Sequence, residues 1–139
     1  MSMRRVREII KDAGYGLLAS SIDGQPRLRP HAFVLLDDGR LWTSTWACSG
    51  KVRELELNPL VELCFVDSNK VQLRIEGRAV LSGGPDKKRE LLELNPRVGR
   101  HFKDENDPNY VHIEIIPSRI RFKPAGFGEY QEVKVDESN

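Results

Sequence analysis

The chain has 139 residues and a mass of 15.9 kDa, one domain's worth of polypeptide. Its composition, 39% hydrophobic and 31% charged, supplies enough apolar material for a packed interior and excludes an intrinsically disordered chain. Lysine and arginine total 22 against 21 acidic residues, a formal net charge of +1 at pH 7, so nothing attracts nucleic acid or anionic lipid globally and any anion site has to be local.

In chain order, Val6, Ile9, Ile10 and Ala13 fall at helical spacing among charged residues, which predicts an amphipathic helix over Met3–Ala13, within residues 1–13, stopped by Gly14. Two strand-like runs follow, Gly16–Ile22 and Arg27–Leu36, joined through Asp23-Gly24, a strong hairpin signal. Asp37-Asp38-Gly39 predicts a second hairpin into a strand over Arg40–Thr45. Lys51–Leu57 reads as a helix with Ser49 as its N-cap and Asn58-Pro59 as its stop. Val61–Val66 and Val71–Leu81 alternate as half-buried strands, the latter interrupted at Gly77, where a bulge or barrel bend would sit. Pro85–Leu94 predicts a helix with proline at its start, and Arg97–Lys103 a helical continuation after Asn95-Pro96. Strand runs over Tyr110–Ile116 and Arg119–Phe122 flank Pro117, and residues 124–139 read as a loop or mobile tail. The sum is a single mainly β (α+β) domain over residues 1–139: a six-stranded antiparallel barrel with flanking helices.

Several classes of function are not signalled. No apolar run approaches the roughly 20 residues of a membrane-spanning helix, and the basic N-terminus lacks a following hydrophobic region and cleavage site, so a cytoplasmic location is expected. Cys48 and Cys64 read as free thiols. His31, His101 and His112 are scattered without ligand spacing, and no metal site is expected. Neither a nucleophile elbow, a Cys/His arrangement nor a carboxylate pair announces itself, and the catalytic residues stay unknown.

Arg27, Arg29 and His31 alternate on one predicted strand, so all three side chains share a face. The next strand brings Trp42, Thr43, Ser44 and Thr45, and its connection runs through Ser49-Gly50-Lys51 into a helix N-terminus. Unpaired N–H groups, a hydroxyl and a lysine there suit a phosphate, although the spacing is not that of a Walker loop. The plainer reading stays open: a capped helix start, a solvated strand face at Arg27 and Arg29, a wet strand side at Gln72, Arg74 and Glu76, and Trp42 and Trp46 as packing residues.

The order of PRLRPHAFVLLDDGRLWTST (Pro26 to Thr45), SGK (Ser49 to Lys51), NP (Asn58, Pro59) and VQLRIEG (Val71 to Gly77) resembles the pyridoxamine 5'-phosphate oxidase-like FMN-binding split barrels, over about Gly14 to Phe122. The resemblance implies FMN in a groove at a homodimer interface. It assigns Arg29, Pro30 and His31 to the strand beside the flavin, Trp42 and Thr43 to an aromatic-Thr pair, Ser49 and Lys51 to a Ser-Arg-Lys phosphate clamp, and Gln72 to a flavin contact. Gly50 replaces the middle arginine of that clamp, which hands its charge to Arg27 or Arg29. The tail, Phe122 to Tyr130, lacks the Trp and Arg-Leu-His segment of oxidases acting on vitamin B6, which places the chain with the short, general-stress-protein-like members. The implied activity is hydride or electron transfer between a reduced nicotinamide or small organic molecule and flavin. The alternative is a non-catalytic flavin or haem-binding redox module on the same barrel.

Overall fold

A computed structural model describes residues 3–135. Helix α1 (Met3–Ala13) buries Val6, Ile9 and Ile10 and ends where Gly14 takes a positive φ of 80°. Strands β1 (Gly16–Ile22) and β2 (Gln25–His31) form a hairpin whose two-residue turn has positive φ at both Asp23 (49°) and Gly24 (78°), the type I′ geometry that matches the right-handed strand twist. A two-residue β3 (Val34–Leu35), β4 (Leu41–Trp46), α2 (Gly50–Leu57), β5 (Leu60–Val66) and β6 (Gln72–Val80) follow. Helix α3 (Pro85–Leu94), a 3-10 helix at Pro96–Arg100, the long β7 (Tyr110–Lys123) and β8 (Gln131–Val133) complete the described chain.

The strands form one antiparallel sheet in the order β2-β1-β5-β6-β7-β4-β3, with β8 against β7. The sheet does not close: β2 ends the path on one side and the short β3, beside β4, ends it on the other. This is the expected α+β split-barrel architecture, with eight strands rather than six. The difference has two sources. The expected strand Arg27–Leu36 divides, because the chain must cross from one end of the sheet to the other after His31. The tail contributes β8 where a loop or mobile tail was expected. Pro117, in contrast, does not divide β7: the β6–β7 register shifts beside it, pairing Gly77 with Pro117 and Glu76 with Arg119, so the missing N–H falls at a bulge. The helical stretch expected over Arg97–Lys103 is the shorter 3-10 helix.

Pairing fixes which way each side chain points, since directly opposed residues share a face. Arg29, Leu18, Leu63, Ile75 and Ile120 form one row across five strands, and all but Arg29 are buried in the main core. Pro30, Leu17, Cys64, Arg74 and Arg121 form the neighbouring row on the outer face. A second apolar cluster joins Trp42 of β4 and Tyr110 of β7 to Leu91, Val98 and Phe102. The buried Glu114 carboxylate ties this side down, accepting from the Trp42 indole N–H (3.0 Å) and Arg40 Nη1 (3.3 Å), with Lys87 Nζ 3.6 Å away.

The bulge depends on Gly77, where a Cβ would stand 2.7 Å from the Ile116 carbonyl oxygen. Gly77→Val therefore forces the two central strands apart; a loss of about 1–3 kcal/mol is expected, read as a lowered urea midpoint.

Candidate functional site

The site is built across the open seam of the sheet. Along β2, Arg27, Arg29 and His31 point to the inner face, and along β4, Thr43 and Thr45 do the same. Ser49 caps α2, its hydroxyl accepting from the Lys51 N–H at 3.2 Å, and thereby sets the first turn that aims Lys51 at β2. Lys51 Nζ lies 2.5 Å from His31 Nε2 and 3.4 Å from Thr45 Oγ1.

The hydrogen-bond directions follow from donor supply. The Thr43 hydroxyl donates to the Ala32 carbonyl at 2.8 Å, so its oxygen is left to accept from His31 Nδ1 at 3.1 Å. His31 then carries its proton on Nδ1, and Nε2 accepts from Lys51. One chain of polar contacts thus runs from α2 through β2 to β4. His31 is 8% exposed. Burial, then Lys51, then Arg29 hold its imidazole down at about 4. Lys51 is pushed down to about 8, by burial first and Arg29 second, with Glu54 opposing. No carboxylate forms an ion pair with Lys51 among the described residues.

Glu54 is the residue that sequence reasoning missed. Its carboxylate receives Arg29 Nη2 at 2.7 Å and lies 3.6 Å from Arg27 Nε, while Arg29 Nη1 donates to Ser20 Oγ at 2.9 Å. The signal was its place one turn beyond Lys51 on the same helix. Three cations, Arg27, Arg29 and Lys51, face this one carboxylate, a surplus of two positive charges.

Strand alternation divides the other expected residues. Trp42 is buried in the second cluster with its N–H on Glu114, on the opposite side of β4 from Thr43 and Thr45. Ser44 shares that side, opposite His112 in register, and reaches a neighbouring cleft. Pro30 points to the outer face opposite Leu17. Gln72 is also on the outer face, where Tyr130 Oη donates to its Oε1 at 3.2 Å. Two strands, β1 and β5, separate it from β2, about 14 Å at the usual strand spacing. Within one chain Gln72 and the Lys51 corner are not brought together.

The cleft beside the corner occupies about 380 Å³ between the end of β2, the middle of β4 and the segment Asn95–His101. Tyr15, Arg97, Arg100 and His101 line it, none of which the sequence singled out as a site residue.

An open antiparallel barrel of eight strands with flanking helices, its seam carrying a cationic, hydroxyl-rich corner, has the split-barrel architecture. The chain belongs to the Pyridoxamine 5'-phosphate oxidase family, whose model matches residues 3–124. It is 27% identical over 128 residues to General stress protein 26 of Bacillus subtilis (strain 168), covering 88% of this chain and 89% of that protein. The crystal structure of General Stress Protein 26 from Bacillus anthracis str. Sterne superposes with a TM-score of 0.75 at 24% identity, over 96% of this chain and all of that one. A haem-binding protein from Mycobacterium smegmatis shares the fold, with a TM-score of 0.70 at 16% identity, over 91% of this chain and 55% of its own. No helix among the described residues is long and apolar enough to cross a membrane.

The depressed histidines fix a pH response. An unfolded imidazole titrates near 6.5, whereas His31 and the fully buried His112, also lowered mainly by burial, titrate at about 4. Between those values the unfolded chain binds more protons, so stability rises with pH and is lost on acidification from about 6.5 to 4. In urea unfolding across that window, His31→Gln is expected to reduce the slope by up to about 1.4 kcal/mol per pH unit.

Proposed function

We propose that the Lys51 corner binds the phosphate of FMN and that the protein is a flavin-dependent oxidoreductase of the short, general-stress-protein-like kind. The observation that carries this reading is a half-buried lysine that forms no ion pair with a carboxylate among the described residues. Burial disfavours its charge, and an arriving phosphate would reverse that penalty. The surplus of two positive charges left by Arg27, Arg29, Lys51 and Glu54 matches a phosphate dianion, and the arginines stand in for the charge missing at Gly50. The Thr45 hydroxyl adds a neutral donor, and the N-terminus of α2 brings the positive end of its dipole to the corner.

When bound, the isoalloxazine would supply the redox chemistry, taking a hydride from a reduced nicotinamide or another small organic donor and passing two electrons to an acceptor. The chain's own residues position and tune. Lys51 and Arg29 hold the anionic end, His31 remains neutral and locks the β2 side of the seam to β4, and Thr43 fixes its tautomer. Haem is the less favoured ligand because both His31 nitrogens are engaged and His112 is enclosed.

A second copy of the chain completes the groove in this reading. Leu17 and Leu28 are exposed on the outer face, continuous across β1 and β2 with Pro30, and Gln72 opens onto the same face. A partner docked there supplies Gln72 to a flavin anchored at the other protomer's Lys51. The tail has neither the Trp nor the Arg-Leu-His segment of vitamin B6 oxidases, so pyridoxamine 5'-phosphate is not the expected substrate.

Lys51→Ala is expected to weaken FMN binding by about 1.5–3 kcal/mol, the usual worth of a hydrogen bond to a charged group, in a fluorescence-quenching titration. In the parent protein, affinity should fall as pH rises through about 8, where Lys51 loses its proton. Unchanged affinity in the variant, together with a flat profile in the parent, would remove the phosphate assignment.

A further inference from the structure

Lys51 differs from other lysines of the chain in what surrounds its nitrogen. Lys87 Nζ lies 3.6 Å from the Glu114 carboxylate, and Lys88 and Lys123 stand over the Tyr110 and Tyr130 rings, settings that favour a permanent cation. Lys51 Nζ instead faces two neutral acceptors, His31 Nε2 at 2.5 Å and Thr45 Oγ1 at 3.4 Å. The Arg29 guanidinium acts on it as a like charge, and Glu54, the carboxylate of the corner, is engaged by Arg27 and Arg29.

Donor accounting separates the two forms of this nitrogen. An ammonium has three N–H groups and no lone pair, whereas a neutral amine has two N–H groups and one lone pair. With His31 and Thr45 as acceptors, the neutral amine is fully hydrogen-bonded and its lone pair is turned away from both. The third N–H of the ammonium finds no protein acceptor among the described residues. Burial first and Arg29 second pull the group down to about 8, with Glu54 opposing, so at pH 7 the ammonium is the resting form and about a tenth of the molecules carry the free amine. A desolvated lysine beside another cation is the setting in which an amine becomes a nucleophile near neutral pH.

We propose that Lys51 is a nucleophilic amine that condenses, when no phosphate fills the corner, with a small aldehyde carrying an anionic group. The ammonium first releases one proton to solvent, and the lone pair adds to the carbonyl carbon. A C–N bond forms and the C–O bond breaks. The oxygen departs as water with one proton from the nitrogen and one from solvent, leaving a protonated imine, and nothing is oxidised or reduced. Arg27 and Arg29 against Glu54 leave one positive charge and the imine restores a second, so the corner favours an aldehyde whose other end is an anion. This chemistry goes beyond the flavin reading and needs no flavin. A phosphate in the corner would stabilise the ammonium and silence the amine, so the two occupants exclude each other.

The test treats the parent protein, in phosphate-free buffer with cyanoborohydride to reduce any imine, with glyoxylate or with neutral propionaldehyde. Peptide mass spectrometry then follows modification at each lysine between pH 6 and 10, and no variant has to fold. At pH 7 Lys51 is expected to be modified about tenfold faster than the exposed Lys70, and this advantage should shrink as pH rises past 8 and ordinary lysines begin to lose their protons. The preference for glyoxylate over propionaldehyde should be about fivefold greater at Lys51 than at Lys70. Modification of Lys51 at the rate of Lys70, or with no added preference for the anionic aldehyde, overturns the proposal. Slowing of the Lys51 reaction by FMN and by inorganic phosphate supports the mutual exclusion. Fast, anion-selective modification of Lys51 that neither of them slows leaves the nucleophile standing and removes the phosphate reading of the corner alone.

Discussion

A lysine that is half out of water and forms no ion pair with a carboxylate among the described residues organises this molecule. Lys51 donates to His31, His31 donates to Thr43, and Thr43 closes the series on the Ala32 carbonyl, so one polar chain holds together two strands that the sheet leaves unpaired. The arrangement is fully satisfied only while the imidazole is neutral. A protonated ring would need a second acceptor and would face a cation at Nε2. The seam is thus held by groups of which one must carry charge and the next must not; Arg29 helps keep the imidazole neutral, while the Lys51 charge is opposed by Arg29 and supported by Glu54. Glu54 keeps the arginines from flooding the corner with charge and leaves an excess that an incoming dianion can cancel.

Local chemistry made much of this legible. Met3–Ala13, Gly16–Ile22 and Pro85–Leu94 stand where apolar spacing, a terminal glycine and an N-terminal proline put them, and Asp23-Gly24 makes the turn its residues favour. Ser49 caps α2, and the irregularity at Gly77 lies where a residue without Cβ sits in an alternating run. The rest depended on partners far away in the chain. Nothing local divides 27–36 into two strands; the crossing between the ends of the sheet does. Pro117 looks like a strand breaker until the bulge opposite it is known. The Glu54 tie to two strand arginines requires that α2 fold back on β2.

Strand alternation explains which parts of the candidate site came through. Arg27, Arg29, His31, Thr43 and Thr45 share the inner side because each obeys a period of two in a correctly read strand. Trp42 and Ser44 alternate away from Thr43, and Pro30 from His31, so a run of neighbours in sequence becomes two sets with different surroundings. Gln72 carries this furthest, since the sheet itself stands between it and the corner. The sheet acts as a partition, and a ligand touching both sides needs two copies of the partition rather than one.

The border of that partition has its own character. Among the described residues strand β2 pairs with β1 alone, which leaves one of its margins without a strand partner, and such a margin ordinarily invites another chain to zip alongside. Pro26 and Pro30 remove backbone donors from this strand, and Arg27 and Arg29 load it with charge. The lip of the opening is therefore poor material for fibril growth or strand exchange. The protein can keep an unsealed barrel, and the entrance that comes with it, without becoming adhesive to its own kind through that rim.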